Sequence, residues 1–454
     1  MVLPRALPLR FASVALVVAA TSLFGCPGMG GRAALECPDC NVVLISIDTV
    51  RADHVGAYGY ARATTPRIDA LAAGGVLFEN AISQSSWTRP AHMSIMTGLY
   101  PSEHGYVALA DRNRLPDDVP TLAKVLSGRG WTTVAFTGGV NVAAIYGFDQ
   151  GFATFRSNGK NFRDNLEETR YWLEHERKGK FFLFFHGYDA HTPYTTDAID
   201  RRDLALPATK PRHKFHRVCR HHHAPGSAIQ RYVDEYDGAI HHADRYVGKL
   251  VDELNRLGLL EKTILVITSD HGEEFLEHGG CFHLNTLYRE VLHVPLIIVA
   301  PGLAPARVGA TVPASVTIAP TILEMVGIRD SAIPALSLLP LALGGDPPLA
   351  VAVSETSRRS GKGRGRGHIR SLTHPNEKLI DWITEGHREY FDTKADAAEG
   401  HPISDDERTR PLGEEITAWF ADHPLKVKAN EENEERRKEL DRTEQQLRSL
   451  GYVD

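Results

Sequence analysis

Residues 41–48, NVVLISID, are apolar at nearly every position and close on a carboxylate. A continuous apolar run of this length suits a strand buried on both faces. Similar runs recur at Thr132–Thr137, Phe181–Phe185, Thr263–Thr268 and Pro295–Val299. Between them the spacing becomes helical, at Pro66–Ala73, Leu122–Ser127 and, longest, Ala228–Leu257. In the last, Tyr232, Tyr236, Ile240, Ala243, Val247 and Leu250 fall on one helical face. Strands alternating with helices predict an α/β fold, a mostly parallel central sheet flanked by helices on both faces. Ligands of such sheets bind beyond the carboxyl ends of the strands. Asp48, His186 and Asp270 stand at those ends.

The pattern differs at both termini. Arg5 and Arg10 precede an apolar run from Phe11 to Leu23, too short for a comfortable membrane span and built like an export signal. It ends Leu23-Phe24-Gly25-Cys26, which resembles a bacterial lipoprotein cleavage box. That resemblance implies a lipid on Cys26 and a membrane-anchored protein of the periplasm or cell surface. Residues 1–25 are then the signal and 26–40 a Gly-rich tether. Residues 41–345 are expected to form the catalytic domain and 346–454 a smaller C-terminal α+β subdomain. Within the latter, Arg358–Gly367 (RRSGKGRGRG) predicts a basic loop, His368–Phe391 short strands and Glu431–Leu447 a charged helix.

Charge narrows the partners. The 51 Lys and Arg against 57 Asp and Glu give a net charge of −6. Loss of Arg5 and Arg10 with the signal makes it more negative still, so nucleic acid is not expected as the main partner. The basic, His-rich stretch Arg201–His223 predicts a solvated loop. Of five cysteines, Cys37 and Cys40 form a C-x-x-C pair ahead of the first strand, while Cys219 and Cys281 are isolated. The pair suits a local disulfide or an incidental neighbourhood better than a zinc site, which needs two more ligands.

Four segments carry candidate chemistry. The first holds Asp48. The second is Thr88-Arg89-Pro90-Ala91-His92, where Pro90 suits the first turn of a helix and Thr88 a cap-like position before it. The dipole of that helix favours negative charge at the Thr88 hydroxyl. Met93, Ile95 and Met96 are expected to face a core. The third segment is Tyr188-Asp189-Ala190-His191, and the fourth Asp270-His271-Gly272-Glu273-Glu274, with His278 and His283 beyond it. Asp270 and His271 are adjacent, so both reach one ion only from a bend, which Gly272 permits. Carboxylate and imidazole together suit Zn or Mn, and Ca less, since it prefers oxygen alone.

In order and spacing these segments resemble the sulfatase family of the alkaline-phosphatase-like superfamily. The resemblance runs from Asn41 to about Gly327. It is carried by NVVLISIDTVRADHVGAYGY, TTPRIDALAAGGVLFENA, WTRPAHMSIMTGLYPSEHG, FFLFFHGYDAHTPY, YDGAIHHADRYVGKL, TSDHGEEFLEHG and LYREVLHVPLIIVAPG. It implies Asp48, Thr88, Asp270 and His271 as metal-site residues. It implies His191 as a ligand of the substrate's anionic group. Thr88 falls at the nucleophile position. Sulfatases carry Cys or Ser there, in Cys/Ser-x-Pro-x-Arg, and oxidise it to formylglycine. This chain has Thr88-x-Pro90-x-His92. A secondary alcohol cannot yield that aldehyde, so no formylglycine is expected. Thr is the nucleophile in related phosphodiesterases and phosphotransferases. His283 replaces a frequent Lys, and is expected as a general acid or, with Asp189 or His191, as a ligand of a second ion.

The expected reaction is in-line attack by a metal-activated Thr88 on a sulfate or phosphate ester, with His92, His191 and His283 offsetting charge at the substrate. A phosphodiesterase or phosphotransferase is the nearest alternative. A non-catalytic, lipid-anchored binding protein on a decayed sulfatase fold is the rival from another class. No G-x-S-x-G elbow is present to support a serine hydrolase of another fold. The alcohol half of the substrate has no readable code in the loops Tyr106–Arg114, Asn141–Phe148 and Thr195–His223.

Overall fold

The computed structural model describes residues 35–108, 113–157, 161–208, 226–346, 351–359 and 366–426, with a few residues between 438 and 445. The signal, Cys26 and most of the predicted C-terminal helix lie outside the described residues.

Eight strands form the central sheet: β1 (Asn41–Ile47), β2 (Val76–Ile82), β3 (Thr132–Phe136), β4 (Thr154–Arg156), β5 (Phe181–Gly187), β6 (Thr263–Thr268), β9 (Leu296–Val299) and β10 (Ala306–Pro313). Their order is β10-β2-β9-β6-β1-β5-β3-β4. Only β9 runs antiparallel, against β2 and β6. The predicted run at Pro295–Val299 is thus a strand, but a reversed one. The central position of β1, parallel to β5 and β6, explains its unbroken apolar character. The spans β2 and β10 were not anticipated, because their intermediate or exposed positions break the run.

Helices cover both faces. Val43, Ile45 and Ile47 of β1 point into a core shared with Tyr236, Ile240, Ala243, Val247 and Leu250 of the helix Gly226–Arg256. That core also takes Ile68 of the helix Pro66–Ala73 and Leu166 of the helix Phe162–Tyr171. Ser46, on the opposite face of β1, meets His92 of the helix Thr88–Thr97. All ten residues of that helix are buried, well beyond the three expected to be.

The C-terminal part is a four-stranded antiparallel meander, β11 (Ala352–Arg359), β12 (Arg366–Thr373), β13 (Glu377–Trp382) and β14 (His387–Asp392), with a helix at Asp406–Asp422. It shares a core with the main sheet region through Ile82, Leu287 and Val291 against Ala352, Ile369 and Trp382. The segment Arg358–Gly367, expected to be a loop throughout, begins and ends in paired strands: Arg358 pairs with Gly367 and Arg359 with Arg366. Its charge hid the strand ends. A two-stranded ribbon, β7 (Glu274–Phe275) and β8 (Cys281–Phe282), follows the Asp270 segment. Cys37 and Cys40 form a disulfide. Cys281, isolated in sequence, is disulfide-bonded as well. No helix among the described residues is long and apolar enough to cross a membrane.

Candidate active site

The carboxyl ends of β1, β5 and β6 and the start of the helix Thr88–Thr97 converge on one buried cluster. Asp48, Asp270 and His271 each offer a ligand atom within 4.8 Å of the others, and all three are inaccessible to solvent. Thr88 Oγ1 lies 3.3 Å from His271 Nε2, and the Thr88 hydroxyl also hydrogen-bonds to the Asp48 carboxyl and stabilises its charge. Thr88 is the first residue of its helix and not its cap; the cap position is held by Trp87 in extended conformation. Its hydroxyl still stands at the positive end of the dipole.

Local backbone explains the convergence. Thr49, just after β1, has φ of 62°, a left-handed conformation uncommon for a β-branched residue. It is held there by Tyr236, whose hydroxyl donates to the Thr49 carbonyl at 2.6 Å, and by Asp270 Oδ1, which accepts the Thr49 N–H at 3.1 Å. Gly272 does its work differently from the expected bend. A Cβ there would sit 2.0 Å from the Glu290 carbonyl, so glycine is required by close approach of backbone.

Hydrogen bonds fix the ring nitrogens. His271 Nδ1 lies 2.9 Å from the Gly272 carbonyl, so it carries the hydrogen and leaves the Nε2 lone pair facing Thr88 and Asp270. His92 Nδ1 likewise donates to the Thr88 carbonyl at 2.9 Å, and its Nε2 accepts from Ser46 Oγ at 2.9 Å. His92 Nδ1 is also 3.3 Å from Asp270 Oδ2. This ring therefore braces the Thr88 backbone. His186 Nδ1 accepts the Gly138 N–H, which puts its hydrogen on Nε2, 3.4 Å from Asp48 Oδ2. His186 was seen only as a strand end in the sequence; the one polar residue closing FFLFFH was the signal.

Electrostatics at the cluster are those of a cation site. Burial, with Asp270 nearby, pushes the Asp48 carboxyl well above the usual carboxylate range. Burial also pushes Asp270 upward, but His271, His92 and His186 outweigh it and hold that carboxyl low. Burial pushes His271 down to about 4, leaving it neutral and able to ligate. Asp48 Oδ1 and Asp270 Oδ2 have no hydrogen-bond partner among the described residues. Two such oxygens beside a bare imidazole lone pair fit a divalent cation, because neighbouring buried carboxylates without a counter-charge are strongly unfavourable.

His191 and His283 form the other wall. Their rings lie 5.1 Å apart, and His283 lies 4.5 Å from the His271 ring. His191 Nδ1 bonds the Thr192 carbonyl at 2.6 Å and His283 Nδ1 meets Glu273 Oε1 at 3.0 Å. Glu273, buried and pushed up to about 8 by burial, was not singled out from the sequence. The expected second-ion partner Asp189 is turned elsewhere. Its Oδ2 accepts the Phe162 N–H at 2.8 Å and its Oδ1 faces His242. Among the described residues, no group of three metal-type side chains includes Asp189, His191 or His283.

Residues 40–328 match the Sulfatase family. A Delta 4,5-hexuronate-2-O-sulfatase of Bacteroides thetaiotaomicron is 25% identical over 448 residues, 88% of this chain and 91% of that protein. Arylsulfatase K of Xenopus laevis is 24% identical over 67% of this chain and 66% of its own, so the chain spans just under two thirds of that relative. It spans 62% of an ulvan-active sulfatase of Formosa agariphila at 27% identity. The fold is similar to that of a phosphonate monoester hydrolase of Agrobacterium radiobacter, with a TM-score of 0.69, 18% identity and coverage of 85% and 96%. The match of motif, fold and family profile over more than half of the sequence leads to one assignment: the chain belongs to the sulfatase family, within the alkaline-phosphatase-like superfamily.

Proposed function

We propose that this protein hydrolyses sulfate or phosphate esters with Thr88 as nucleophile. The observation that carries this reading is the Thr88 hydroxyl at a helix start, 3.3 Å from His271 Nε2 and bonded to the Asp48 carboxyl. Asp48, Asp270, His271 and Thr88 would hold a divalent cation (Zn, Mn or Ca). When bound, that cation supplies positive charge that lowers the Thr88 pKa and offsets charge on the ester oxygens. Thr88 Oγ1 gives up its proton and attacks sulfur or phosphorus in line, the ester bond to the alcohol breaks, and that proton, taken up and passed on by the neutral ring of His283 or His191, ends on the departing oxygen. His92 keeps the Thr88 backbone in place. Water then attacks the same sulfur or phosphorus and frees Thr88.

A threonine ester lacks the exit that an aldehyde hydrate gives in formylglycine enzymes. Release must come by attack at sulfur or phosphorus, which is the more accessible route at phosphorus. This favours phosphodiester or phosphotransfer chemistry as the second reading, without formylglycine in either case. Assays of the purified protein on aryl sulfate, aryl phosphate and bis-aryl phosphate, with Mn, Zn or Ca added, separate the two. The export signal and the Cys26 box support secretion with a lipid anchor at a bacterial membrane. Metabolic labelling with a fatty acid, lost in Cys26→Ser, tests it.

A further inference from the structure

Asp189 Oδ1 and His242 Nε2 face each other at 3.8 Å, and neither has a hydrogen-bond partner among the described residues. Both side chains are buried. His242 stands on the helix Gly226–Arg256, and its other nitrogen, Nδ1, lies 2.8 Å from Asp200 Oδ2. Asp200 is ringed by donors: His241 Nδ1 at 2.9 Å, Arg245 Nη1 at 2.7 Å and the Asp197 N–H at 2.8 Å. A carboxylate so surrounded is an acceptor only, so the hydrogen of His242 sits on Nδ1.

A neutral His242 then turns a lone pair toward the Asp189 oxygen. Two acceptors facing one another in the interior are unfavourable, so one proton belongs between them, on either atom. Closing 3.8 Å to an ordinary hydrogen bond takes a shift of about 1 Å. Asp189 is the fastening point of its loop. Its second oxygen accepts the Phe162 N–H at 2.8 Å and its carbonyl accepts the Thr195 N–H at 3.0 Å. A Cβ on Gly187 would come within 2.7 Å of Asp189 Oδ2, which shows how closely the loop is seated. The same loop carries His191, two residues on.

We propose that His242 is a positioning residue: a proton shared between His242 Nε2 and Asp189 Oδ1 ties the loop 188–195 to the long helix and sets where His191 meets the anionic group of the ester. The inference rests on the reading of His191 as a substrate contact. It makes the long helix, and not only the strand ends, part of what aligns the substrate.

The test uses the full chain with His242→Phe, which removes both nitrogens, His242→Gln, which restores a donor toward Asp189, Asp189→Asn, and the double variant His242→Phe/Asp189→Asn. KM and kcat are measured on the aryl ester the wild type turns over best, together with inhibition by inorganic phosphate and sulfate. His242→Phe is expected to raise KM and both inhibition constants about tenfold together, with kcat within about threefold. His242→Gln recovers most of the loss, Asp189→Asn, whose amide N–H donates to His242 Nε2, stays within about threefold of wild type, and the double variant is as impaired as His242→Phe. Unchanged KM and inhibition constants in His242→Phe, or an Asp189→Asn variant impaired as much as His242→Phe, overturn the proposal. If thermal unfolding shows that His242→Phe does not fold, His242→Asn, too short to reach Asp189, carries the same comparison. Full turnover by Thr88→Ala would remove the nucleophile assignment, and the phosphate inhibition constants would still decide on His242.

Discussion

The backbone N–H of Thr49 donates to Asp270 Oδ1 at 3.1 Å, so the segment after β1 and the segment after β6 are locked to each other beside the Asp48–Asp270–His271 cluster. The lock holds Thr49 at φ of 62°. A left-handed non-glycine residue carries strain of about 1–3 kcal/mol. Thr49→Gly relieves it, and its urea-unfolding free energy is expected within about 1 kcal/mol of wild type or above it, despite the lost hydroxyl. Thr49→Pro, which removes the N–H and cannot reach that φ, is expected to unfold the site. Equal, large losses in both variants would refute the strain argument.

Thr88→Ala is expected to lower kcat by about 1,000-fold on the preferred ester, without lowering metal content in proportion. Thr88→Ser, a primary alcohol in the same place, is expected to keep a measurable part of the activity. Steady-state kinetics with parallel metal analysis checks both. An alanine variant as active as wild type excludes a covalent role for this side chain.

Chelation probes the charge balance at Asp48 and Asp270. A cation at about 100 times its dissociation constant stabilises the fold by about 2.7 kcal/mol. Added EDTA is therefore expected to lower the unfolding temperature of the wild type. Asp48→Asn removes a charge that burial already disfavours, so its unfolding temperature is expected to be insensitive to EDTA. A wild-type protein indifferent to EDTA would count against the cation.

His278 predicts a pH effect away from the histidines of the candidate site. Its Nδ1 lies 2.7 Å from Glu290 Oε1 and its Nε2 2.8 Å from the Glu399 carbonyl. Burial alone would lower its pKa, but Glu290 and the Glu399 carbonyl raise it to about 9. An imidazole that holds its proton more tightly when folded stabilises fully below about pH 6.5. That contribution fades as pH rises through about 9. Unfolding measured from pH 6 to 10 is expected to show a decline that His278→Gln flattens.

What the sequence disclosed was set by how locally each feature is encoded. β1 was legible because every position of it is buried, and the helix Gly226–Arg256 because its buried positions recur at helical spacing. β11 was not, because Arg358 and Arg359 disguise the end of a paired strand. At the site, Asp48, Thr88, Asp270 and His271 stood out through motif spacing, and the structure brings them together. The outward turn of Asp189 toward His242 depends on a helix more than 50 residues away in sequence, which no local pattern encodes. Thr88 as a first helical residue, in place of a cap, came down to Trp87 adopting an extended backbone.

The Cys37–Cys40 disulfide lies immediately ahead of β1, where Cys37 N–H donates to the Met325 carbonyl and Trp131 Nε1–H to the Cys40 carbonyl. β1 is a central strand of the sheet and delivers Asp48. A pull arriving along the upstream segment, as a membrane tether would deliver, meets that four-residue clamp and its two neighbours first. By that route the helix Ser315–Met325 and Trp131 would take up such a load ahead of β1, and the register of the strand that carries Asp48 would be spared.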